Sequence, residues 1–488
     1  MVRAWKRQDR AAVLERLKEG DYDAITTSSQ SALDELVHLS IELGVFDVLE
    51  VLQVKRERQG IPDVLLLRTL FVLPFVEAMG LSAAAGSLFK DAAILLQLGY
   101  TLVDLQEGFN GRRRGEGAEE KSEEAKPCHP EVLREELARI DVGSLRAFQR
   151  EGVRRLFLRG LVRGGTYAID GTGLGTRYQI VGLLNVHSER PFWVAWRVLK
   201  GEQSEKGQGG AIVKELIDQV IEMAGPGKIE WLLMDALYAD GPLLAWLKYG
   251  RRIDVVVRLP QDRRAYDDLM RMVHNGLAKS HTHTDTCYIS GHKRHRRITV
   301  TGIGAMRDWQ SFCQAAGEYG EKTASLWACA IQTVDLAKPD ETREWALVST
   351  HAFPSAWKGY TLWRNRWRIE NSGFRELKEG WHIEKAPWSY THEAAVKGRV
   401  AFTLMAFNVA QIAKTSRGRQ LTDRGIRRLR MELVSEYGPA PVVVIAGDVY
   451  GIFHIEEIAA AFGAPPAFRL QRPRSSPSGG HPGGTSLS

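Results

Sequence analysis

The stretch Thr166–Thr176, TYAIDGTGLGT, opens as a buried strand and places an acid, Asp170, where its apolar run stops. An Asp-Gly pair is a common way to leave a strand, because Asp caps its own backbone and Gly tolerates positive φ. A second acid has the same setting. In KIEWLLMDALYAD, residues 228–240, Asp235 closes the apolar run Trp231–Met234. Two strands that each end in a carboxylate imply one shared site.

The order of elements around them decides the architecture. TYAID, RYQIVGLLNVHS and FWVAWRVLKG read as three strands with short breaks, which suits an antiparallel meander. GGAIVKELIDQVIEMAG is amphipathic and ends at Gly225, as a helix does. KIEWLLMDA is a buried strand, GPLLAWLKYG a short helix and RIDVVVRLP a fifth strand, giving βββαβαβ. If the fourth strand lies beside the first through a right-handed crossover, Asp170 and Asp235 become neighbours on one sheet. Two carboxylates about 5 Å apart repel by roughly 3 kcal/mol at an effective dielectric near 20. Such a pair persists only with a shared proton or cation. Oxygen ligands without His or Cys beside them suit Mg²⁺ or Mn²⁺, and two such ions about 4 Å apart support phosphodiester chemistry.

That chemistry calls for a third acid, and YTLWRNRWRIENSGFRELKEGW, residues 360–381, supplies one. At about 100° per residue from Glu370, Trp363, Arg366, Phe374 and Leu377 all fall within about 40° of it. Glu370 is therefore expected to point inward from a mostly apolar stripe with Arg366 beside it. The competing reading is a surface Arg366–Glu370 pair at i, i+4, worth a few tenths of a kcal/mol.

These motifs carry a resemblance. IDGT at Asp170, MDALYA at Asp235, VVVRLP at Arg258, WALVST at residues 345–350 and WRNRWRIENSGFRELK around Glu370 resemble the acid-triad transposases of bacterial insertion sequences, over about residues 130–415. The resemblance implies an α/β fold: an RNase H-like mixed sheet flanked by helices, with a β-rich insertion and an N-terminal helical domain. It implies Asp170, Asp235 and Glu370 as catalytic residues and as ligands of two Mg²⁺ (or Mn²⁺) ions. It further implies metal-dependent cleavage of element-end DNA followed by strand transfer into target DNA, by a homodimer on double-stranded DNA. Arg258, Trp363, Arg366, Arg375 and Lys378 are the expected DNA contacts. The family's Tyr, Arg, Glu, Lys signature is matched at Arg366 and Glu370 and broken twice. Trp363 stands for the tyrosine, and Leu377 for the lysine, with Lys378 one step late. A nuclease that cuts without rejoining, and a non-cutting DNA-binding regulator, are the alternatives.

The spacing fits the same architecture: Asp170 to Asp235 is 235 − 170 = 65 positions, and Asp235 to Glu370 is 370 − 235 = 135. The longer gap holds strand-like DTCYIS, HRRITVTGIG and SLWACAIQTVDL, expected to form the insertion at residues 262–344. His274, His281, His283, His292 and His295 lie there without finger spacing, so a basic strand-edge surface is preferred to a zinc site. The glycines of GTGLGT precede no helix, which argues against a nucleotide loop. The catalytic domain is expected at 128–261 and 345–415, and a helical, DNA-end-binding domain at 1–105. A disordered linker at 106–127, a basic helical region at 416–465 and a disordered tail at 466–488 complete the division.

The 488 residues are 44% hydrophobic and 26% charged, the composition of a folded protein. No apolar run is long enough to span a membrane and the N-terminus is charged, so a cytoplasmic location is expected, nucleoid-associated when on DNA. The four cysteines form no CxxC pair and are expected to be reduced and partly buried. The formal net charge is +7. It is concentrated: Lys358–Arg430 holds 16 Lys and Arg against 6 Asp and Glu, 16 − 6 = +10. That is the footprint of a phosphate-backbone surface. Affinity for nonspecific duplex is expected to fall by about 0.9 log unit per phosphate neutralised for each log unit of salt. Titrations across salt concentrations check this, and joint replacement of Arg424, Arg427, Arg428 and Arg430 is expected to flatten the slope.

Overall fold

A computed structural model describes residues 7–28, 31–56, 60–76, 80–89, 91–101, 104–105, 109, 128–201, 207–276, 278–289, 292–307, 309–384, 392–415, 425–437 and 441–462. Almost all of the expected linker at 106–127 and the whole tail at 466–488 lie outside the described residues.

Two N-terminal strands, β1 (Arg7–Gln8) and β2 (Ala24–Thr27), flank the helix Arg10–Glu19. Helices from Ser31 to Gln97 follow, as the apolar periodicity of this region predicts. The central strands are β3 (Gly165–Leu174), β4 (Tyr178–Asn185), β5 (Phe192–Lys200), β6 (Ile229–Met234) and β7 (Asp254–Leu259). Beyond them come β8 (Lys279–Ile289), β9 (His292–Met306), β10 (Leu326–Asp335) and β11 (Lys338–Ser349). Near the C-terminus β12 (Val442–Ala446) and β13 (Val449–Phe453) form a hairpin.

One mixed sheet of nine strands, ordered β5-β4-β3-β6-β7-β11-β10-β9-β8, organises the chain. β3, β4 and β5 are an antiparallel meander, and β6 joins β3 in parallel across the helix Gly209–Ala224, as βββαβαβ requires. The region 262–344 is β-rich, and its strands extend the central sheet from the β7 edge through β11 instead of standing off as a separate body. β8 forms the outer edge and carries His281 and His283.

The C-terminal region departs from the helical expectation for 416–465. A helix occupies Ile426–Tyr437, but the β-branched run VVVIA favours a strand, and Gly447, at φ 61°, makes the reversal into β13. The hairpin pairs with β1 on one side and β2 on the other, so a purely helical N-terminal region is likewise incorrect. Val13, Leu17, Val442, Val444, Val449 and Phe453 form the small core beneath this four-stranded sheet.

The helix Glu393–Ala413 is buried from Ala395 to Ala413 apart from Lys397. It packs on β5, on the helices Pro130–Arg139 and Val142–Leu158, and on the N-terminal helices. Its Asn408 side chain accepts from the Trp193 N–H at 2.9 Å and donates to the Trp193 carbonyl at 2.8 Å. These bonds satisfy backbone groups beside the irregularity where the β4–β5 register shifts between Leu183 and Leu184. The Trp193 ring fills space left by two glycines. A Cβ on Gly182 of β4 would lie 2.5 Å from it, and one on Gly373 would lie 2.9 Å from it. Gly182→Ala and Gly373→Ala are each expected to destabilise by about 1–3 kcal/mol through overpacking. Gly304→Ala, with nothing within 4 Å of the added methyl, is the control in denaturant unfolding.

Candidate active site

Register brings the two aspartates together. Tyr167 pairs with Leu232 and Ala168 with Leu233 along parallel β3 and β6, so Asp170 and Asp235 each lie two residues beyond one matched pair. Equal offsets preserve the face, because side chains alternate with period two. Asp170 is inside β3, which runs on to Leu174, so the Asp-Gly step is not an exit turn. It faces Gly182 across β4. Asp235 follows β6 in an extended conformation, at the start of the 3₁₀ turn Ala236–Tyr238.

The third acid comes from a helix that changes pitch. After Ala356–Arg364 the chain forms a π-turn over Ile369–Phe374, in which the Arg375 N–H donates to the Glu370 carbonyl, and resumes as Arg375–Glu379. π-turns are rare and concentrate at functional sites. Trp363, Arg366, Ile369, Phe374 and Leu377 are buried, whereas Glu370 sits at the margin of this stripe with its side chain 39% exposed. Leu377 takes the inward position, while half-buried Lys378 pairs with Glu384 at 2.7 Å.

Arg366 connects the site. Its Nη1 donates to Asp170 Oδ2 at 2.9 Å and its Nη2 to Glu370 Oε1 at 2.7 Å. The guanidinium lies 5.3 Å from the Trp363 ring centroid and 5.9 Å from that of Trp367. Arg366 thus bridges two acids across the fold, beyond the surface i, i+4 pair considered from sequence. Trp363 is buried and donates its indole N–H to the Met234 carbonyl at 3.2 Å, tying the glutamate helix to the residue before Asp235. Arg258 lies 5.9 Å from the Trp345 ring centroid, and Arg375 is exposed.

Burial pushes the Asp170 carboxyl up to about 6; Arg366 and the Gly171 N–H counter the rise, and the charges of Glu370 and Asp235 add to it. Asp235 Oδ1 is buried without a hydrogen-bond partner. The donor set, three carboxylates with one orphaned oxygen, suits a hard cation. Among the described residues no three such side chains are arranged to hold a metal ion, and the Arg366 guanidinium engages two of the three acids.

Sequence reasoning missed Arg368. Its guanidinium donates to the carbonyls of Val186, Ser188 and Glu189 at 2.6, 2.5 and 2.8 Å, fastening the glutamate helix to the turn after β4. Backbone carbonyls in a distant turn leave no mark in a sequence. The basic window is also less uniform than its composition: Arg430 is buried against the Pro74 carbonyl, Arg428 pairs with Glu432, and Arg424 lies outside the described residues. Arg427 and Arg428 remain as exposed positions for the charge test.

The family described as Transposase DDE domain matches residues 201–409, under half of the chain. The matched segment contains Asp235 and Glu370 and begins after Asp170. Over that segment the chain is similar to transposases of the DDE kind, which supports a transposition-related nuclease. No curated protein matches the chain. Among the described residues no helix is long and apolar enough to cross a membrane.

The Asp170 titration has a definite sign. Its folded value, about 6, exceeds the unfolded value near 4, so the folded chain binds the proton more tightly between them. Stability is therefore expected to fall by roughly 2–3 kcal/mol as pH rises through this window without divalent ions. Burial also raises Asp34 to about 7 and Glu136 to about 8, with the same sign at higher pH. Urea unfolding in EDTA near pH 4 and pH 7 should show a smaller decline for Asp170→Asn than for the wild type.

Proposed function

We propose that this protein is a transposase that cuts DNA at the end of a mobile element and joins the freed 3′ hydroxyl to target DNA. It acts as a homodimer on double-stranded DNA in the bacterial cytoplasm. The observation that carries the reading is the convergence on one sheet face of Asp170 and Asp235, at equal offsets from paired residues of β3 and β6, with Glu370 joined to Asp170 through Arg366. The match to the transposase DDE domain over residues 201–409 supports it independently.

Asp170, Asp235 and Glu370 are the residues that would hold two Mg²⁺ or Mn²⁺ ions, whose chemistry is activation of the attacking oxygen and stabilisation of the leaving one. The protein's own groups supply position and charge. A groove of about 860 Å³ runs along the glutamate helix, lined by Arg258, Arg296, Trp345, Tyr360, Trp367 and Asn371. Asp285, Asp335, Glu341 and Glu344 line it too, so its charge is mixed; its arginines suit phosphates and its aromatic rings suit bases. Exposed Arg375 adds a cation beyond Glu370, and Lys378 would add another on release from Glu384. The helices of residues 1–105 are assigned to recognition of the element end, and the β8 edge, with its histidines, to contact with flanking DNA.

Glu370→Gln keeps the side-chain volume and hydrogen bonding but removes the charge that a hard cation needs. The variant is expected to bind end DNA about as well as the wild type while Mg²⁺-dependent cleavage falls by orders of magnitude. Asp170→Asn and Asp235→Asn should behave alike, and paired changes should cost little more than single ones, because the three act as a unit. Cleavage of a labelled end duplex, beside a binding assay on the same duplex, decides the matter. Equal cutting by the wild type and Glu370→Gln removes Glu370 from the active site.

A further inference from the structure

Arg366 occupies the place where the chemistry proposed above needs a different cation. One guanidinium satisfies Asp170 Oδ2 and Glu370 Oε1 together, and its side chain is only 5% exposed. Asp235 receives nothing at Oδ1. The two acids linked by the arginine therefore share a single counter-charge, and the third keeps an acceptor aimed at no donor. The arginine is held mainly at its tip, since its Nε is buried without a partner. Half-exposed Trp367 lies beside it and lines the groove, so the buried pose has an open neighbour toward which the guanidinium can turn.

We propose that Arg366 is a place-holder for the divalent cation between Asp170 and Glu370, and that a DNA phosphate releases those carboxylates by taking over the guanidinium. The proposal rests on the reading of the three acids as metal ligands. Its physical basis is the arginine fork, which stays charged at every accessible pH and meets carboxylate and phosphate with the same paired N–H donors. While the fork is on the acids, an incoming ion must displace a charge-assisted pair at each. Once a phosphate holds the fork, half-buried Asp170 and the more exposed Glu370 are left as adjacent anions without a counter-charge, which favours a cation between them. Ion loading and DNA binding then strengthen one another, as linkage demands, and the DNA-free protein is kept from loading the complete metal set.

The test measures Mn²⁺ binding to the full-length, DNA-free chain by the electron paramagnetic resonance of free Mn²⁺. Arg366→Gln removes the competing charge and is expected to bind Mn²⁺ about tenfold more tightly than the wild type, the factor equivalent to about 1.4 kcal/mol. Its melting temperature should drop in EDTA, where two adjacent acids lose their shared counter-charge, and recover with Mn²⁺. Arg366→Lys retains a charge but cannot span both acids with a planar fork, so it should tighten binding by less. A cooperatively melting Arg366→Gln with unchanged or weaker Mn²⁺ affinity overturns the proposal. If that variant does not fold, unchanged or weaker binding by Arg366→Lys overturns it equally. Asp170→Asn and Asp235→Asn, each made in the Arg366→Gln background, separate this failure from that of the parent reading. If neither weakens Mn²⁺ binding, the acids are not the metal site and both ideas fall.

Discussion

Like charges gathered in a half-buried place set the terms for this molecule. Each pair of carboxylates about 5 Å apart costs roughly 3 kcal/mol at an intermediate dielectric, and burial adds to that at Asp170. The parallel register of β3 and β6 brings two acids to one level, and the glutamate helix brings the third. Arg366 offsets the repulsion by bonding to Asp170 and Glu370 at once. The surrounding structure holds that helix in place. Trp363 binds it to the end of β6, Arg368 binds it to the turn after β4, and Gly373 lets it close on Trp193. A helix held at three points can carry an acid whose neighbours repel it.

Much of this was legible in the chain because it depends on local patterns. Apolar runs of strand length, each ending in an acid, gave the sheet, and the order βββαβαβ gave the parallel pairing of the first and fourth strands. The helical stripe around Glu370 placed Trp363, Arg366 and Leu377 correctly even though the helix widens into a π-turn, since each remains on the buried side. What stayed hidden depends on partners far away. Asn408 serves backbone groups of Trp193, and Arg368 serves carbonyls near Ser188, contacts across roughly two hundred residues that no periodicity records. Composition misled at Arg430, whose charge counts toward a basic surface although the side chain is buried.

The region between β7 and the glutamate helix is continuous with the central sheet. Because β11 pairs directly with β7, strands β8 to β11 continue the ladder that the central strands begin. β11 then leads directly into the glutamate helix, so the sheet's extended edge and the third acid share one short connection. The groove draws on both: Arg258 comes from β7, Trp345 from β11, and Tyr360 and Trp367 from the helical segment. A shift of β11 in its register would move the wall and the acid together.

The small sheet of β1, β13, β12 and β2 bears on how the chain is made. Its outer strands emerge early in synthesis and its central hairpin only after more than four hundred further residues, so the first segment must wait for that hairpin before its sheet can form. Domains otherwise tend to fold in the order in which they leave the ribosome, and such distant pairing is slow to close. During that interval Val13 and Leu17 of the first helix stand without the core they later join, so chaperone capture or self-association would concentrate on this one stretch. A product that terminates before Val442 leaves the same edges permanently open.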